Sequence, residues 1–368
     1  MAASPVPDTS RRVAVIGTGL IGGSLALALR DRQPHVEVVA FDRDADQLSL
    51  AIERAAATSG AASPADAAAE ADLVVLAVPT GAMRATLAEI APALRPGTLV
   101  TDVASVKGPV AEAASDCLPE TVTFVGGHPM AGAERGGMAH ADALLFENAV
   151  YVLTPTGSAE ADPRAVWLAR SVGARPVVMA PDRHDAVVAA VSHLPQLAAV
   201  ALVRLAAEVG DDALALAAGG FRDMTRIASS PFGMWGDILG ANRDAVLAML
   251  ETYTDGLGTL HDAVRSGDLS ALEVAFERSA ATRSEIPSHA KGFLTPLAEV
   301  TLWAEDRVGF LAAVTGALAE ARLNIKDMEL LRVRENEGGA FRLAFADGPA
   351  ADAAIGVLRT LGLRAERR

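Results

Sequence analysis

The chain of 368 residues is long enough for two or three domains. Hydrophobic residues make up 51% of it and charged residues 21%, a composition that excludes wholesale disorder. The net charge of −14 argues against nucleic acid or an anionic membrane surface as a partner. The single cysteine, Cys117, excludes an internal disulfide, and the composition fits the reducing cytoplasm.

The first elements form a dinucleotide-binding pattern. Val13–Ile16 is a short apolar run that predicts a buried parallel strand, and the turn Gly17-Thr-Gly-Leu-Ile-Gly22 follows at once. A helical pattern runs on to Arg30, and a second apolar run ends at Asp42. Strand, glycine turn, helix, strand and acid are the context that the Gly-x-Gly-x-x-Gly motif needs, so we expect an α/β domain of the Rossmann type.

The glycines of this turn have distinct physical tasks. Gly17 permits the tight turn, Gly19 lets a pyrophosphate approach the positive end of the helix, and Gly22 allows close helix–strand packing. Asp42 would accept hydrogen bonds from ribose hydroxyls and repel a 2′-phosphate, which favours NAD over NADP, although the neighbouring Arg43 would tolerate that phosphate. The predicted cofactor-binding residues are Gly17, Gly19, Leu20, Ile21, Gly22, Asp42 and Pro79.

The alternation of strands and helices continues to about residue 181. Further strands are predicted at 72–79, 97–102, 122–125, 149–154 and 175–179. In an open parallel sheet the carboxyl ends of the strands line the ligand crevice. We therefore expect Pro79, Ser105 and His128, which follow three of these strands, to lie near the nicotinamide end of the cofactor.

His128 belongs to the segment Phe124–Gly137, whose glycines and Pro129 predict a rigid loop rather than a strand. Its imidazole, with an ordinary pKa of about 6.5, would accept a proton near neutral pH; a structural histidine bonded to a backbone carbonyl is the alternative. Ser105 would hydrogen-bond a substrate hydroxyl or the histidine, or else cap a helix that begins near Lys107.

From His184 to about Gly292 the pattern is helical. The segment 186–209 is apolar nearly all round, which suits a bundle or a dimer interface, and Pro195 predicts a kink in it. No stretch has the uninterrupted apolar length that a membrane helix needs. Arg222 and Arg226 are four residues apart and would share a helical face that can bind a carboxylate; a surface ion pair is the alternative.

The last 70 or so residues follow a β-α-β-β-α order from about residue 297. This order predicts a small ferredoxin-like α+β domain, and the sequence leaves its final strand open. The segment has no catalytic cluster, so regulation or dimerisation is the more plausible task. The seven histidines of the whole chain are too scattered for a metal-ligand pattern, and no metal is expected.

Taken in order, these motifs resemble the prephenate/arogenate dehydrogenase family of tyrosine biosynthesis followed by an ACT-type regulatory domain. The resemblance implies a dinucleotide-binding domain at 11–181, an all-helical substrate and dimerisation domain at 182–293, and an ACT-like domain at 297–368. It also implies an active site in the cleft between the first two domains. The motifs that carry it are Gly17–Gly22, Ser105–Lys107, Gly127–Gly132 with Glu134, Ser192–Pro195, and Asp223–Ala228 with Met234 and Trp235.

The resemblance also assigns roles. His128 corresponds to the residue that accepts the proton of the ring 4-hydroxyl, and Ser105 to a serine that hydrogen-bonds around that hydroxyl. Arg226 matches an arginine that holds a substrate carboxylate, His193 a substrate-binding histidine, and Glu134 a gating acid at the cleft mouth. Effector-binding parts of ACT domains are similar to Asp306, Gly309, Asn324 and Ile325 here, which implies feedback by an amino acid, with tyrosine and phenylalanine as candidates.

Two positions depart from the family pattern. Gln196 stands where members that use prephenate often have a second histidine, and Ala133 stands where they often have a hydroxyl residue. Both positions lie near the substrate, so arogenate is the alternative to prephenate. The expected protein is a cytoplasmic, homodimeric, NAD-dependent prephenate dehydrogenase. A 3-hydroxyacid dehydrogenase, an imine reductase and a non-catalytic sensor of NAD and an amino acid are the competing interpretations.

Overall fold

The computed structural model describes residues 11–133, 135–285, 297–304, 307–334 and 338–368. Two residues with predicted roles, Glu134 and Asp306, lie outside this described part. The chain divides after Val274 into two compact units. The first unit contains a large sheet and most of the helices, and the second contains a small sheet with two helices.

An eight-stranded sheet organises the first unit, in the order β3-β2-β1-β4-β5-β6-β7-β8. The expected open parallel sheet is confirmed except at one place, because β6 and β7 are antiparallel. Among the described residues between these two strands, the regular structure is a short 3₁₀ turn, Met138–His140, whereas a parallel return would need a crossover helix. The strands are β1 Arg12–Ile16, β2 Glu37–Phe41, β3 Ser59–Gly60, β4 Leu73–Leu76, β5 Leu99–Asp102, β6 Thr123–Pro129, β7 Val150–Pro155 and β8 Arg175–Val178.

Helices cover both faces of this sheet, which is why its central strands are apolar at successive positions. Val13 and Val15 of β1 pack in one core with residues of the helices α1 (Leu20–Arg32), α2 (Ala45–Glu53) and α6 (Pro163–Ser171). Ala14 and Ile16 point to the opposite core, which α3 (Pro64–Ala68), α4 (Met83–Ile90) and α5 (Gly108–Cys117) complete. The period of two along β1 therefore separates the two cores.

A run of helices follows the sheet, as the pattern after His184 predicts for the described residues. The expected break near Pro195 takes the form of a π-helical turn, Ala189–His193, and such turns occur frequently at functional sites. Pro195 lies in the first turn of the next helix, where its missing N–H costs least. The helices are α7 Pro181–Val188, α8 Leu194–Val209, α9 Asp211–Ala215, α10 Gly219–Thr225, α11 Phe232–Ala241, α12 Arg243–Ser266 and α13 Leu269–Glu285.

One segment of the described chain, Pro181–Val209, is long and apolar enough by length and composition to cross a membrane. It spans 29 residues, with mean hydropathy 1.9 over its most apolar window, of which 28% is buried. Its apolar sequence is interrupted at Ser192–Pro195, in agreement with the sequence-based statement. The helix nevertheless continues through this polar break, in part as the π turn, and therefore reaches this length.

The second unit has the β-α-β-β-α-β order of a ferredoxin-like domain. Its sheet order is β10-β11-β9-β12 with every pairing antiparallel. The final strand, which the sequence left open, is present; its three residues are too few for a readable alternation, and their pairing with β9 defines the strand. The elements are β9 Ala298–Ala304, α14 Phe310–Glu320, β10 Asp327–Arg334, β11 Gly338–Phe345, α15 Gly348–Thr360 and β12 Ala365–Arg367.

Candidate active site

The glycine turn between β1 and α1 has the geometry that a dinucleotide needs. Gly17 has φ +99°, and a Cβ there would collide with the carbonyl of Ala77 on the neighbouring strand. A Cβ at Gly22 would collide with the carbonyl of Gly17. Gly19, in contrast, faces open space, and no side chain caps the start of α1 behind it. The unpaired amides of that first turn are therefore open to an anion.

Asp42 follows β2 and is hydrogen-bonded to Thr18 of this turn. Its carboxylate accepts hydrogen bonds from the amide of Thr18 at 2.6 Å and from the Thr18 hydroxyl at 3.1 Å. The other oxygen accepts from the amide of Asp44 at 2.9 Å. Asp42 thus lies beside the pyrophosphate turn, and the adjacent Arg43 is exposed. Leu20 and Ile21 are half-buried at the start of α1, and Pro79 is exposed at the end of β4.

His128 lies in a strand, not in the predicted loop. The antiparallel strand β7 pairs with Gly126, Gly127, His128 and Pro129, which extends β6 four residues beyond its predicted end. The two glycines serve close packing rather than turning. A Cβ at Gly126 would collide with the hydroxyl of Thr154, and one at Gly127 with the carbonyl of Asp102. The prediction failed because local sequence does not show a pairing partner some 25 residues away.

A buried ion pair between Lys107 and Asp102 contacts this strand at Gly127. Lys107 is only 1% exposed, and its Nζ donates to the carboxylate of Asp102, which is fully buried, and to the carbonyl of Gly127 at 2.6 Å. Burial lowers the pKa of Lys107, and Asp102 opposes that shift. Burial and the Asp102 charge both raise the pKa of the neighbouring Tyr151 phenol. The lysine is therefore bonded to the residue directly before His128.

The imidazole of His128 begins a chain of side-chain hydrogen bonds. Its Nδ1 lies 2.8 Å from Nε2 of His184, and Nδ1 of His184 lies 2.7 Å from the Asp185 carboxylate. His184 and Asp185 belong to α7 and are 1% and 7% exposed. Two buried groups from the helical region thus meet a histidine at the edge of the sheet.

Asp185 also contacts the serine loop. Its two oxygens accept from the amide of Lys107 at 2.7 Å and from the amide of Gly108 at 2.8 Å, at the start of α5. The alternative that Ser105 caps this helix is therefore wrong, because Asp185 of α7 does so. The Ser105 hydroxyl is half-buried and has no hydrogen-bond partner within the described part of the chain, which leaves it available for a ligand.

A second histidine is held by an asparagine. Asn242 is 6% exposed, and its Nδ2 donates to the carbonyl of Asp185 at 2.9 Å and lies 3.2 Å from Nδ1 of His193. Because both interactions use the amide donor, Nδ1 of His193 is the acceptor and its Nε2 carries the proton. The ring of Trp235 meets His193 edge-on at 6.0 Å. His193 therefore presents a hydrogen-bond donor.

The remaining predicted substrate residues are less closely joined. Gln196 is 4% exposed, and its Nε2 donates to the carbonyl of Ile227 at 3.0 Å, next to Arg226. Arg226 follows α10 and begins the short turn Arg226–Ser229, so it does not share one helix with Arg222 as predicted. Both arginines and Ala133 are exposed. Within the described residues, the hydrogen bonds bring together His128 with its two partners in α7 and, through Asn242, His193.

Burial and neighbouring charges keep His128 and His193 neutral. Burial, and then the charges of Lys107, His184 and His193, hold the pKa of His128 well below its ordinary value. Burial likewise lowers the pKa of His193, against the opposing charge of Asp185. Burial alone would raise the pKa of Asp185, but its hydrogen bonds with His184, Gly108 and Lys107 hold it below the ordinary value. A neutral imidazole that is linked through His184 to a fixed carboxylate is suited to accept a proton.

Sequence reasoning missed four of these residues. Lys107 was part of a motif, but nothing local showed its burial. His184, Asp185 and Asn242 carried no motif at all. The one available signal was the position of His184 and Asp185 at the start of an otherwise apolar helix, where buried charge needs a partner.

The glycine turn and the acid after β2 fit NAD, because the turn leaves room at Gly19 and offers the amides of α1. The fold and the site thus define an NAD-dependent dehydrogenase, with a Rossmann-type domain followed by helices that complete the site. Three family models match the chain in succession. They are the nucleotide-binding domain of prephenate dehydrogenase at residues 25–178, the dimerization domain of prephenate dehydrogenase at 180–278, and the ACT domain at 298–362.

Individual relatives agree. Prephenate dehydrogenase of Bacillus subtilis is 33% identical over 341 residues, covering 90% of this chain and 91% of the relative. A crystal structure of prephenate dehydrogenase from A. aeolicus in complex with hydroxyphenyl propionate and NAD+ has a TM-score of 0.69 and 30% identity, covering 76% and 99%. Synechocystis arogenate dehydrogenase has a TM-score of 0.67 and 31% identity, covering 74% and 99%. The chain belongs to the prephenate dehydrogenase family.

Proposed function

We propose that this protein oxidises prephenate to 4-hydroxyphenylpyruvate with NAD+ and releases CO₂, and that His128 accepts the proton of the ring 4-hydroxyl. The observation that carries the proposal is the position of a neutral His128 at the carboxyl end of β6, hydrogen-bonded to His184. Ser105 follows the adjacent strand β5 with a hydroxyl free to bind a ligand. A base and a hydroxyl at neighbouring strand ends suit an alcohol substrate.

The reaction requires the protein to position the substrate and to accept one proton. Proton removal by His128 pushes electrons toward the ring carbon that bears the hydroxyl, and a hydride then leaves that carbon. NAD+ held at the Gly17–Gly22 turn would supply the hydride acceptor. Loss of the ring carboxylate as CO₂ then leaves its electrons in the ring, which becomes aromatic, and the resulting phenolate regains a proton. The protein must therefore hold two anionic groups and one hydroxyl in position. His193, Gln196 and Arg226, with Ala133 and Glu134, are the residues that we assign to this task.

Initial rates of NADH formation with prephenate and with arogenate in parallel test the proposal, with NAD+ and NADP+ each supplied. A higher kcat/KM for prephenate with NAD+ is expected. A preference for arogenate would assign the second substrate instead, and Gln196→His and Ala133→Ser would then be the variants to compare. Turnover of neither substrate would contradict the proposal.

The cofactor site makes a prediction about two glycines of one turn. Gly17→Ala is expected to destabilise the fold, because alanine at φ +99° is strained and its Cβ has no room. Gly19→Ala has room for its methyl group and is expected to keep the melting temperature. It should nevertheless raise the Kd for NAD+ by about tenfold or more, since the methyl group occupies the approach of the pyrophosphate. Thermal unfolding and NAD+ titration separate the two effects, and an unchanged Kd in Gly19→Ala would contradict the assignment.

We also propose that the helical region forms a homodimer and that the domains run 11–181, 182–293 and 297–368. The support is the family model for a dimerization domain together with the low burial of the apolar segment Pro181–Val209. A dimer covers such a surface without a membrane, so we assign the protein to the cytoplasm.

Charged substitutions at exposed apolar residues of the helical region are expected to yield monomers. Leu205→Glu and Phe232→Glu replace side chains that are 58% and 79% exposed in one chain. Leu144→Glu, at a residue that is 62% exposed in the nucleotide-binding region, is the control and should remain dimeric. Light scattering after size exclusion measures the mass. Dimers in both helical variants would contradict this placement of the interface.

The ACT domain is proposed to bind an amino-acid effector, tyrosine or phenylalanine. Gly309 has φ +83° at the start of α14, and Asn324 and Ile325 lie in the connection that follows this helix. Asn324→Ala is expected to raise the concentration for half-maximal inhibition by about tenfold, the cost of one well-made hydrogen bond to a charged ligand. Glu320→Ala, an exposed change nearby, should not. Equal inhibition of both variants would place the effector elsewhere.

A further inference from the structure

The hydrogen bonds around His128 determine which of its nitrogens carries a proton. The Asp185 carboxylate is held ionised, so it only accepts, and Nδ1 of His184 at 2.7 Å must carry the proton of that bond. With its one ring proton on Nδ1, His184 offers Nε2 as an acceptor. Nδ1 of His128, at 2.8 Å from it, must therefore be the donor. This leaves Nε2 of His128 with its lone pair free.

We propose that His184 and Asp185 are positioning residues that hold His128 with its proton on Nδ1, so that Nε2 is the nitrogen that receives the substrate proton. The inference rests on the role of His128 proposed above. It adds that the base is set by the helical region, since α7 supplies both residues. Without α7 in place, neither the tautomer of His128 nor the orientation of its ring is fixed.

Asp185 is itself held from three sides. The amides of Lys107 and Gly108 bind its oxygens at 2.7 and 2.8 Å, at the positive end of α5. The same carboxylate thus fixes the serine loop, through Lys107, and the base, through His184. Asp185 thus fixes the positions of Ser105 and His128 relative to one another, although these residues follow different strands.

The charges around His128 determine how readily its imidazole can become positively charged. Lys107, His184 and His193 face it and disfavour a positive imidazolium. Lys107 is neutralised in part by Asp102, and Asp185 is the negative group that reaches His128 through His184. The negative charge of Asp185 therefore offsets the charge that His128 gains. A carboxylate behind a histidine acts in the same way in hydrolytic triads.

The tautomer can be observed without turnover. We expect the nitrogen spectrum of the ¹⁵N-histidine-labelled protein with NAD+ to show an unprotonated Nε2 and a protonated Nδ1 for His128 at neutral pH. His128→Gln assigns the signals by their loss. Proton attachment at Nε2 of His128 in the wild-type protein would overturn the proposal.

Asp185→Asn tests the role of the charge. With its oxygen at the position of Oδ2, asparagine still accepts from the amide of Gly108, so the fold should persist. Its amide nitrogen then takes the position of Oδ1, loses the bond from the Lys107 amide and faces Nδ1 of His184 as a donor, which reverses both tautomers and removes the base from Nε2. We expect kcat to fall by roughly 10²- to 10³-fold with little change in the KM for NAD+. The acid limb of kcat/KM should move to lower pH, because the group that favours the imidazolium is gone. If the substitution instead loosened the site and let water in, the acid limb would move to higher pH. The direction of the shift therefore distinguishes a positioning role of Asp185 from a general loss of structure.

His184 offers a rescue test. His184→Ala removes the acceptor for Nδ1 of His128, whereas His184→Gln places an amide oxygen near the former Nε2. The glutamine variant should retain at least about tenfold more activity than the alanine variant. Equal activities would overturn the proposal, as would activity within threefold of wild type in Asp185→Asn.

The chain contains a matched control. His261 and Asp262 are also adjacent on a helix, with Nδ1 of the histidine 3.1 Å from the carboxylate, but their side chains are 69% and 66% exposed. His261→Gln and Asp262→Asn should leave kcat and the pH profile unchanged. If His128→Ala is active, the proposed function fails; if His128→Ala is inactive while the α7 variants are active, only the inference fails.

Discussion

His128→Ala is expected to lower kcat by about three orders of magnitude while NAD+ still binds. General-base catalysis contributes typically 10²- to 10⁴-fold, and we take the middle of this range for His128, which is neutral and hydrogen-bonded. The KM for prephenate should change little, because alanine leaves the carboxylate-binding residues in place. Initial rates at saturating NAD+, with NAD+ binding measured separately, test this expectation.

The control for this variant is His261→Ala, an exposed histidine of α12, which should keep wild-type rates. A His128→Ala protein that retains a third of its turnover would contradict the role of His128. A protein that never turned over either substrate, yet bound NAD+ and an amino acid with and without His128, would be the sensor considered from the sequence.

Lys107→Met is expected to destabilise the first unit by about 3–5 kcal/mol, the cost of leaving a buried charge without its partner. Asp102 is fully buried, and within the described residues its other donors besides the lysine are the amides of Ala104 and Gly127, at 2.9 and 3.1 Å. The carbonyl of Gly127 also loses its donor, next to the base. The loss should appear as a fall in the denaturant midpoint of the first unit and as a further loss of kcat.

The exposed pair of Arg84 and Asp116 is the matched control for this buried pair. Both side chains are 55% exposed, and Arg84→Met should leave the midpoint unchanged within error. The double variant Asp102→Asn with Lys107→Met should be less destabilised than the sum of the two single variants, since no net charge is then buried. Additive losses would show that the pair is not coupled.

Several features of the fold could be predicted because their signals are local. The β1 strand, the turn Gly17–Gly22 and Asp42 occupy consecutive stretches in which each glycine serves its own backbone. The helical region after His184 and the order of the small domain followed from periodicity. The structure differs from prediction at β6, decides between two alternatives at the N-terminus of α5 and adds the strand β12 that the sequence left open; in each case the deciding partner is distant in the chain.

The sequence by itself determined the nucleotide-binding turn, the acid after β2 that favours NAD, the family, and His128 as the candidate base, because each of these depends on residue types at short spacing. Only the tertiary structure decided how that base is held. The contacts of His128 with His184, of Asp185 with the start of α5, and of Lys107 with Asp102 and Gly127 join separate strands, loops and helices. Burial makes these polar groups dependent on one another, since a charge removed from water must find its partner wherever the fold brings one.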